Sequence, residues 1–350
     1  MKNYSKLSIL LLTIIFVIGC SDTENLKSDE PKVVNGKLAF NDYAGLESFV
    51  FATNGKEKTT AEVEEKAKSL GLKSHLALAR EIYGAPADVL AKARQEANDE
   101  ISQYLSPADD SIRLSAVVDD KLASVLNEKQ EIVFGNVVHK IQNDYVFMYK
   151  EGSEALVKDY YKALNEGKIE KPTVGNVVSF GEMKIAKSEI KMIDLLGGDG
   201  AVNGRTSANC ESNLSSNLRL SGVISASNYY FYQTVSITVN VKSKSRRCFL
   251  WWCSESWNDT EANYLAANFE VSLIIDRFSW VGPLRGPIYG SGPQLSTRLY
   301  SKFEPGTSSI DLVGWACYIG QKNGFSGTCS HRFTTSPRFA PNPASLIKCP

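Results

Sequence analysis

From Asn217 to Ser243 the chain reads NLRLSGVISASNYYFYQTVSITVNVKS, and near its end apolar and polar residues alternate strictly. Val235, Ile237, Val239 and Val241 occupy one set of positions; Ser236, Thr238 and Asn240 occupy the other. A period of two puts successive side chains on opposite faces of an extended strand, so this stretch needs an apolar layer against one face. NYLAANFEVSLIID (263–276), QLSTRLYSKF (294–303), SIDLVGWACYIG (309–320) and HRFTTS (331–336) continue at hairpin spacing, and Lys322-Asn323-Gly324 is a strong turn signal. Many short strands without a helical pattern predict an all-β, sandwich-like fold for residues 213–350.

The rest of the chain has a different chemistry. The run LLGGDGAVNGRTSANC (195–210) is rich in small and polar residues and has no apolar period, so 196–212 reads as a linker. Residues 21–204 carry 31 acidic and 23 basic side chains, a balance of −8, whereas residues 205–350 carry 8 and 14, a balance of +6. All five tryptophans lie in the second half. Residues 41–195 predict an α+β domain. Thr59 and Glu62 fit a capping box ahead of a helical run over 61–83 that Gly71 breaks or bends. A second helix opens at Pro86 and runs to Leu105, and a third covers 153–167. Between them, 131–149 changes to β-type residues with turns at Gly135-Asn136 and Asn143-Asp144.

At the N-terminus, Lys2 and Lys6 precede an apolar run from Leu7 to Ile18. Twelve helical residues span about 18 Å, short of a bilayer core, so 1–19 reads as an export signal. Val17-Ile18-Gly19-Cys20 resembles a bacterial lipobox, with Val17 and Ile18 departing from its usual residues. Lipidation of Cys20 would anchor the chain in a membrane. The acidic segment after it, within 20–40, resembles the surface-export signal of Bacteroidota lipoproteins; a solvated tether would look much the same. Location in the outer membrane facing the exterior is the expectation, with the periplasmic face as the alternative. Removing Cys20 leaves Cys210, Cys248, Cys253, Cys317, Cys329 and Cys349, an even set that suggests three disulfides in an exported protein. Proximity in sequence suggests Cys248–Cys253 and Cys317–Cys329 as hairpin staples, leaving Cys210–Cys349 to tie the ends.

The segment SVLNEKQEIVFGNVVHKIQNDYVF (124–147), after two helices behind a lipobox, together with a β domain carrying SKSRR and WW, resembles an uncharacterised lipoprotein family of Bacteroidota. That resemblance implies lineage and location and brings no activity with it.

Motifs for chemistry are thin. His75, His139 and His331 have no ligand at metal spacing, and no zinc signature is present, so no metal and no cofactor are expected. Cys329 and His331, two apart, share a strand face and form one nucleophile candidate, against the plainer reading of a half-cystine beside a neighbour. GFSGT (324–328) departs from the nucleophile elbow at Thr328. Asp109-Asp110 and Asp119-Asp120 are the carboxylate pairs a glycosidase would need, and solvated acids otherwise. DGAVNG (199–204) opens like a calcium loop but has Ala201 and Cys210 at ligand positions. Asp110-Ser111-Ile112 matches a short O-glycosylation triplet. The best interaction element is KSKSRRCFLWWCSESW (242–257), where Lys242, Lys244, Arg246 and Arg247 precede Trp251, Trp252 and Trp257. Arginine beside exposed aromatics suits sugar stacking, cation–π contacts or a protein hot spot; the alternative is a Trp in the core and another over the sheet edge. The sequence therefore predicts a membrane-anchored lipoprotein whose β domain binds a glycan, envelope component or protein, with no nucleic-acid partner. A structural envelope protein and a secreted hydrolase are the alternatives.

Overall fold

The computed structural model describes residues 30–51, 58–85, 119–194, 205–212, 218–249, 252–260, 262–266, 269–275, 279–284, 288–292, 295–306, 310–322 and 325–334. The chain is strand-rich, and the described strands form three sheets.

The first sheet has the order β1-β2-β3-β4-β5-β7-β6. Its strands are β1 (Lys32–Val34), β2 (Lys37–Phe40), β3 (Glu131–Phe134), β4 (Val137–Gln142), β5 (Tyr145–Lys150), β6 (Val177–Phe180) and β7 (Met183–Lys187). β2 and β3 run parallel, and the crossover between them carries four described helices: α1 (Tyr43–Val50), α2 (Thr60–Ser69), α3 (His75–Gly84) and α4 (Asp120–Val125). Each helix starts where a short polar side chain accepts an otherwise unpaired N–H: Asp42, Thr59, Ser74 and Asp119 cap them in turn. At Thr59 the capping box with Glu62 is complete. The run 61–83 is two helices, because Gly71 at φ +89 takes a conformation that most side chains avoid. The β3–β4 and β4–β5 hairpins close through Gly135-Asn136 and Asn143-Asp144, with φ of +61 at Gly135, +49 at Asn143 and +65 at Asp144. The helix expected over 86–105 lies outside the described residues.

Alternation divides this sheet between two cores. Leu38, Phe40, Ile132, Phe134, Ile141, Val146 and Met148 face the crossover helices, meeting Leu46, Phe49, Val63 and Leu122. Ala39, Val133, Val138, Phe147, Tyr149 and Ile185 face the other way, where α5 (Ala155–Asn165) covers them with Val157 and Tyr160.

The second sheet runs β12-β11-β10-β8, with β17 also on β11. Its members are β8 (Glu189–Asp194), β10 (Leu218–Asn228), β11 (Gln233–Phe249), β12 (Trp252–Thr260) and β17 (Leu295–Lys302). The third joins β9 (Arg205–Ser212), β13 (Ala262–Ala266), β14 (Phe269–Ile275), β15 (Ser279–Leu284), β16 (Ile288–Gly292), β18 (Ile310–Lys322) and β19 (Phe325–Thr334). The structure departs from the expected boundaries at three places, the first being that β1 and β2 fall within the expected tether 20–40 yet belong to the first sheet. β8 ends at Asp194 and already belongs to the second sheet, paired to β10, and residues 205–212 form β9, paired to β19 along its length. Polar composition hid β9, because its pairing partner lies far along the sequence.

The second and third sheets touch through β10 and β11 on one side and β13, β18 and β19 on the other. They pack tightly at Gly320, where a Cβ would stand 2.6 Å from Leu220 Cδ1 and 2.7 Å from Val241 Cγ2. Lys191 of β8 reaches Asp311 of β18 at 2.8 Å and so ties the same two sheets at one end.

The β10–β11 hairpin ends in Tyr229-Tyr230-Phe231-Tyr232, and this turn is driven into the crossover core. Tyr229, Phe231 and Tyr232 are buried and, with Phe303, belong to the same cluster as Phe40, Phe134 and Leu46. Phe231 lies 5.3 Å from the Phe134 ring and 5.4 Å from His139, and Tyr232 lies 4.9 Å from Phe303. The two halves of the sequence therefore share a core.

Candidate functional site

The long strand β11 has three partners. Residues 233–243 pair with β10 on one side, and 233–239 pair with β17 on the other. From Val241 onward β12 takes over that second edge, down to Phe249 opposite Trp252. Among the described residues, 244–249 and 252–257 pair only with each other, so they form a two-stranded ribbon extending past β10. The register places Lys244 opposite Trp257, Arg246 opposite Glu255, Arg247 opposite Ser254, Cys248 opposite Cys253, and Phe249 opposite Trp252. Directly opposed residues share a face. One face of the ribbon thus holds the Lys244, Arg246, Cys248, Cys253, Glu255 and Trp257 positions; the other holds Arg247, Phe249, Trp252 and Ser254. Each face combines cationic and aromatic positions. Trp251 lies outside the described residues, as do Cys20, Cys349, Asp109, Asp110 and the 199–204 segment.

The cysteine register corrects one expectation. Cys317 is opposite Ser330, whereas Cys329 is opposite Tyr318. The two cysteines are therefore one step out of phase and occupy opposite faces of the β18–β19 pair, so they cannot form the expected hairpin staple. Proximity in sequence misled because a strand reverses face at every residue.

The histidines are closed to solvent: His75 and His139 are 2% exposed and His331 is 0%. His139 sits on β4 with Nε2 3.1 Å from the Tyr43 hydroxyl and Nδ1 3.3 Å from the Val137 carbonyl. With Nδ1 donating to Val137 and Nε2 accepting from Tyr43, a neutral ring satisfies both contacts. Burial pushes its pKa down to about 4, against the Val137 hydrogen bond, and burial pushes Tyr43 up to about 12. His331 is lowered to about 4 by burial as well. Cys329, 4% exposed, does share a face with His331, but both are enclosed.

Two carboxylates are held in ways the sequence did not announce. Asp119 caps α4 through Leu122 N–H at 2.8 Å, accepts from the Tyr232 hydroxyl at 3.2 Å, and takes Arg298 Nη2 at 2.7 Å on both oxygens. Arg298 is 179 positions away, and nothing local in either segment signals the pairing. Its neighbour Asp120 has its pKa raised, by burial first and by Asp119 next. Asp119 therefore serves the joint between the halves. Glu131 accepts from Lys140 at 3.0 Å, Tyr149 at 3.3 Å and Asn127 at 3.3 Å, with Lys37 at 3.9 Å. It is 3% exposed, and burial together with its charge holds the Tyr149 hydroxyl protonated far above the usual range. Lys37 also meets Glu151 at 2.7 Å. This row across β2, β3 and β4 neutralises charge inside the α5-covered face.

A cleft of about 300 Å³ lies at the start of α1, lined by Glu30, Asn41, Asp42 and Ser48 among others. The Asp42 carboxylate there is engaged by Gly45 N–H at 2.9 Å. Among the described residues no group of three or more His, Cys, Asp or Glu converges as a metal site, and no helix is long and apolar enough to cross a membrane. No protein-family model, curated protein or solved structure matches this chain.

Proposed function

We propose that this protein is a lipoprotein anchored through Cys20 and displayed on the cell surface, and that it binds an anionic glycan through the β11–β12 ribbon. The observation that carries this reading is the ribbon's register, which puts Lys244 and Arg246 with Trp257 on one face and Arg247 with Phe249 and Trp252 on the other. Guanidinium groups pair with carboxylate or phosphate substituents, and aromatic rings stack on sugar faces, so alternate cationic and aromatic positions suit a charged polysaccharide. The ribbon lies beyond β10 and away from the buried joint at Tyr229–Tyr232, which leaves it outside the elements that hold the halves together. In this reading the first sheet and its helices, residues 32–187, act as an α+β platform, and the second and third sheets, from β8 to β19, act as a disulfide-bearing pair that carries the ribbon outward. The hydrolase alternative is weakened because all three histidines are enclosed and Asp119 is committed to Arg298.

Retention of the full chain on immobilised anionic and neutral polysaccharides tests the reading. Wild type is expected to be retained on the anionic resin, and the Arg246→Ala/Arg247→Ala and Trp252→Ala variants to elute early with unchanged thermal unfolding. Equal retention of all three sinks the ribbon as the binding element. Protease shaving of intact cells tests display: loss of residues 205–350 supports it, and protection until the outer membrane is opened refutes it.

A further inference from the structure

The strand register carries more than the exclusion of Cys317–Cys329. Along β9 and β19, Cys210 stands directly opposite Cys329, within an uninterrupted run of pairs from Gly327–Ser212 to Thr334–Arg205. Along β11 and β12, Cys248 stands directly opposite Cys253. Directly opposed residues in antiparallel strands have Cα atoms about 4.5–5.5 Å apart and side chains on one face, which falls within the Cα range of about 4.4–6.8 Å that a disulfide spans. Six cysteines admit about 15 complete pairings. Only one of them contains both cross-strand pairs, and it joins Cys317 to Cys349.

We propose that the mature protein carries cross-strand disulfides Cys210–Cys329 and Cys248–Cys253, with Cys317 bonded to Cys349. The first bond stitches β9, the strand that opens the third sheet in sequence, to β19, 119 positions later, and so closes nearly the whole second half. The second fixes the far end of the ribbon just before its Phe249–Trp252 pair, and so holds the proposed recognition element in one register. Gly320 stands opposite Gly327, two residues from Cys329, so Gly320 and Cys329 share a face; Cys317, three residues from Gly320 along β18, lies on the other face, opposite the side that approaches Leu220 and Val241. Its partner must come from outside the β18–β19 pair, and by count that partner is Cys349.

Formation of each bond removes two thiol protons and two electrons. The oxidant is the disulfide of an exported thiol oxidase. One thiolate attacks a carrier sulfur to give a mixed disulfide; the second displaces the carrier thiolate, and the carrier leaves as a dithiol. The inference rests on the export proposed above.

The test is peptide mapping of the full chain, purified with free thiols blocked and digested without reduction. Trypsin is expected to release residues 206–219 linked to 323–332, and 303–322 linked to the terminal Cys349-Pro350. A further chymotryptic cut between Phe249 and Trp252 is expected to leave Cys248 and Cys253 joined. A 303–322 peptide linked to 323–332 overturns the pairing and leaves export standing. Six blocked, unlinked cysteines overturn both. As a second measurement, Cys329→Ser is expected to expose one labelled thiol at Cys210 and none at Cys317, whereas labelling at Cys317 refutes the assignment.

Discussion

The contact that joins the two halves makes the sharpest test of how this fold is held. Asp119 and Arg298 have side chains only 6% and 10% exposed, and the guanidinium also lies 5.6 Å from the Tyr232 ring. Breaking a buried ion pair from one side costs about 3–5 kcal/mol, because the remaining charge is left in a poor solvent. Asp119→Ala also removes the α4 cap, worth about 1 kcal/mol, and the acceptor for Tyr232, worth about 1 kcal/mol. The single variant is therefore expected to lose about 5–7 kcal/mol, whereas Arg298→Met keeps the cap and the Tyr232 bond and is expected to lose about 3 kcal/mol. In the double variant no charge is stranded, so its loss should fall short of the sum by about 2 kcal/mol. Equilibrium urea unfolding of the full chain, followed by tryptophan fluorescence and by circular dichroism, measures all three. Both probes are expected to report one transition in wild type, since the shared core couples the halves. Additivity within about 0.5 kcal/mol, the range of exposed pairs, would refute the claim that this contact acts as a buried joint.

Two other perturbations follow from the same structure. Gly320→Val places carbon where Leu220 and Val241 already stand, and is expected to cost about 1–3 kcal/mol, with partial rescue by Leu220→Ala; no rescue in thermal melts would show that the sheets do not meet there. His139 and His331 have folded pKa values near 4, below the ordinary 6.5, so the folded state takes up protons less readily than the unfolded one. The stability they contribute is present above pH 6.5 and is lost as pH falls toward 4, by roughly 3 kcal/mol for each histidine at most. His139→Gln should flatten about half of the histidine-linked slope, and an unchanged slope in unfolding midpoints between pH 7 and 4 would refute the assignment.

Local signals were legible where local physics decides. The alternation of Val235, Ile237, Val239 and Val241 requires one buried strand face, and all four are buried. Thr59 with Glu62, the break at Gly71, and the turns at Gly135 and Asn143-Asp144 are fixed within a few residues by unpaired N–H groups and by backbone sterics. The sequence likewise made the 242–257 stretch stand out, because charge and aromatic content need no partner to be seen. Only the tertiary structure decided that SNYYFYQ is not the middle of one strand but a hairpin end buried under the first sheet, that polar residues 205–212 form a paired strand, and that Asp119 belongs to Arg298 rather than to Asp120. It also decided the cysteine partners, since a face is set by register and register is set by the strand opposite. Such pairings depend on which distant segments come together to bury their apolar faces, and that choice is made by the whole chain at once.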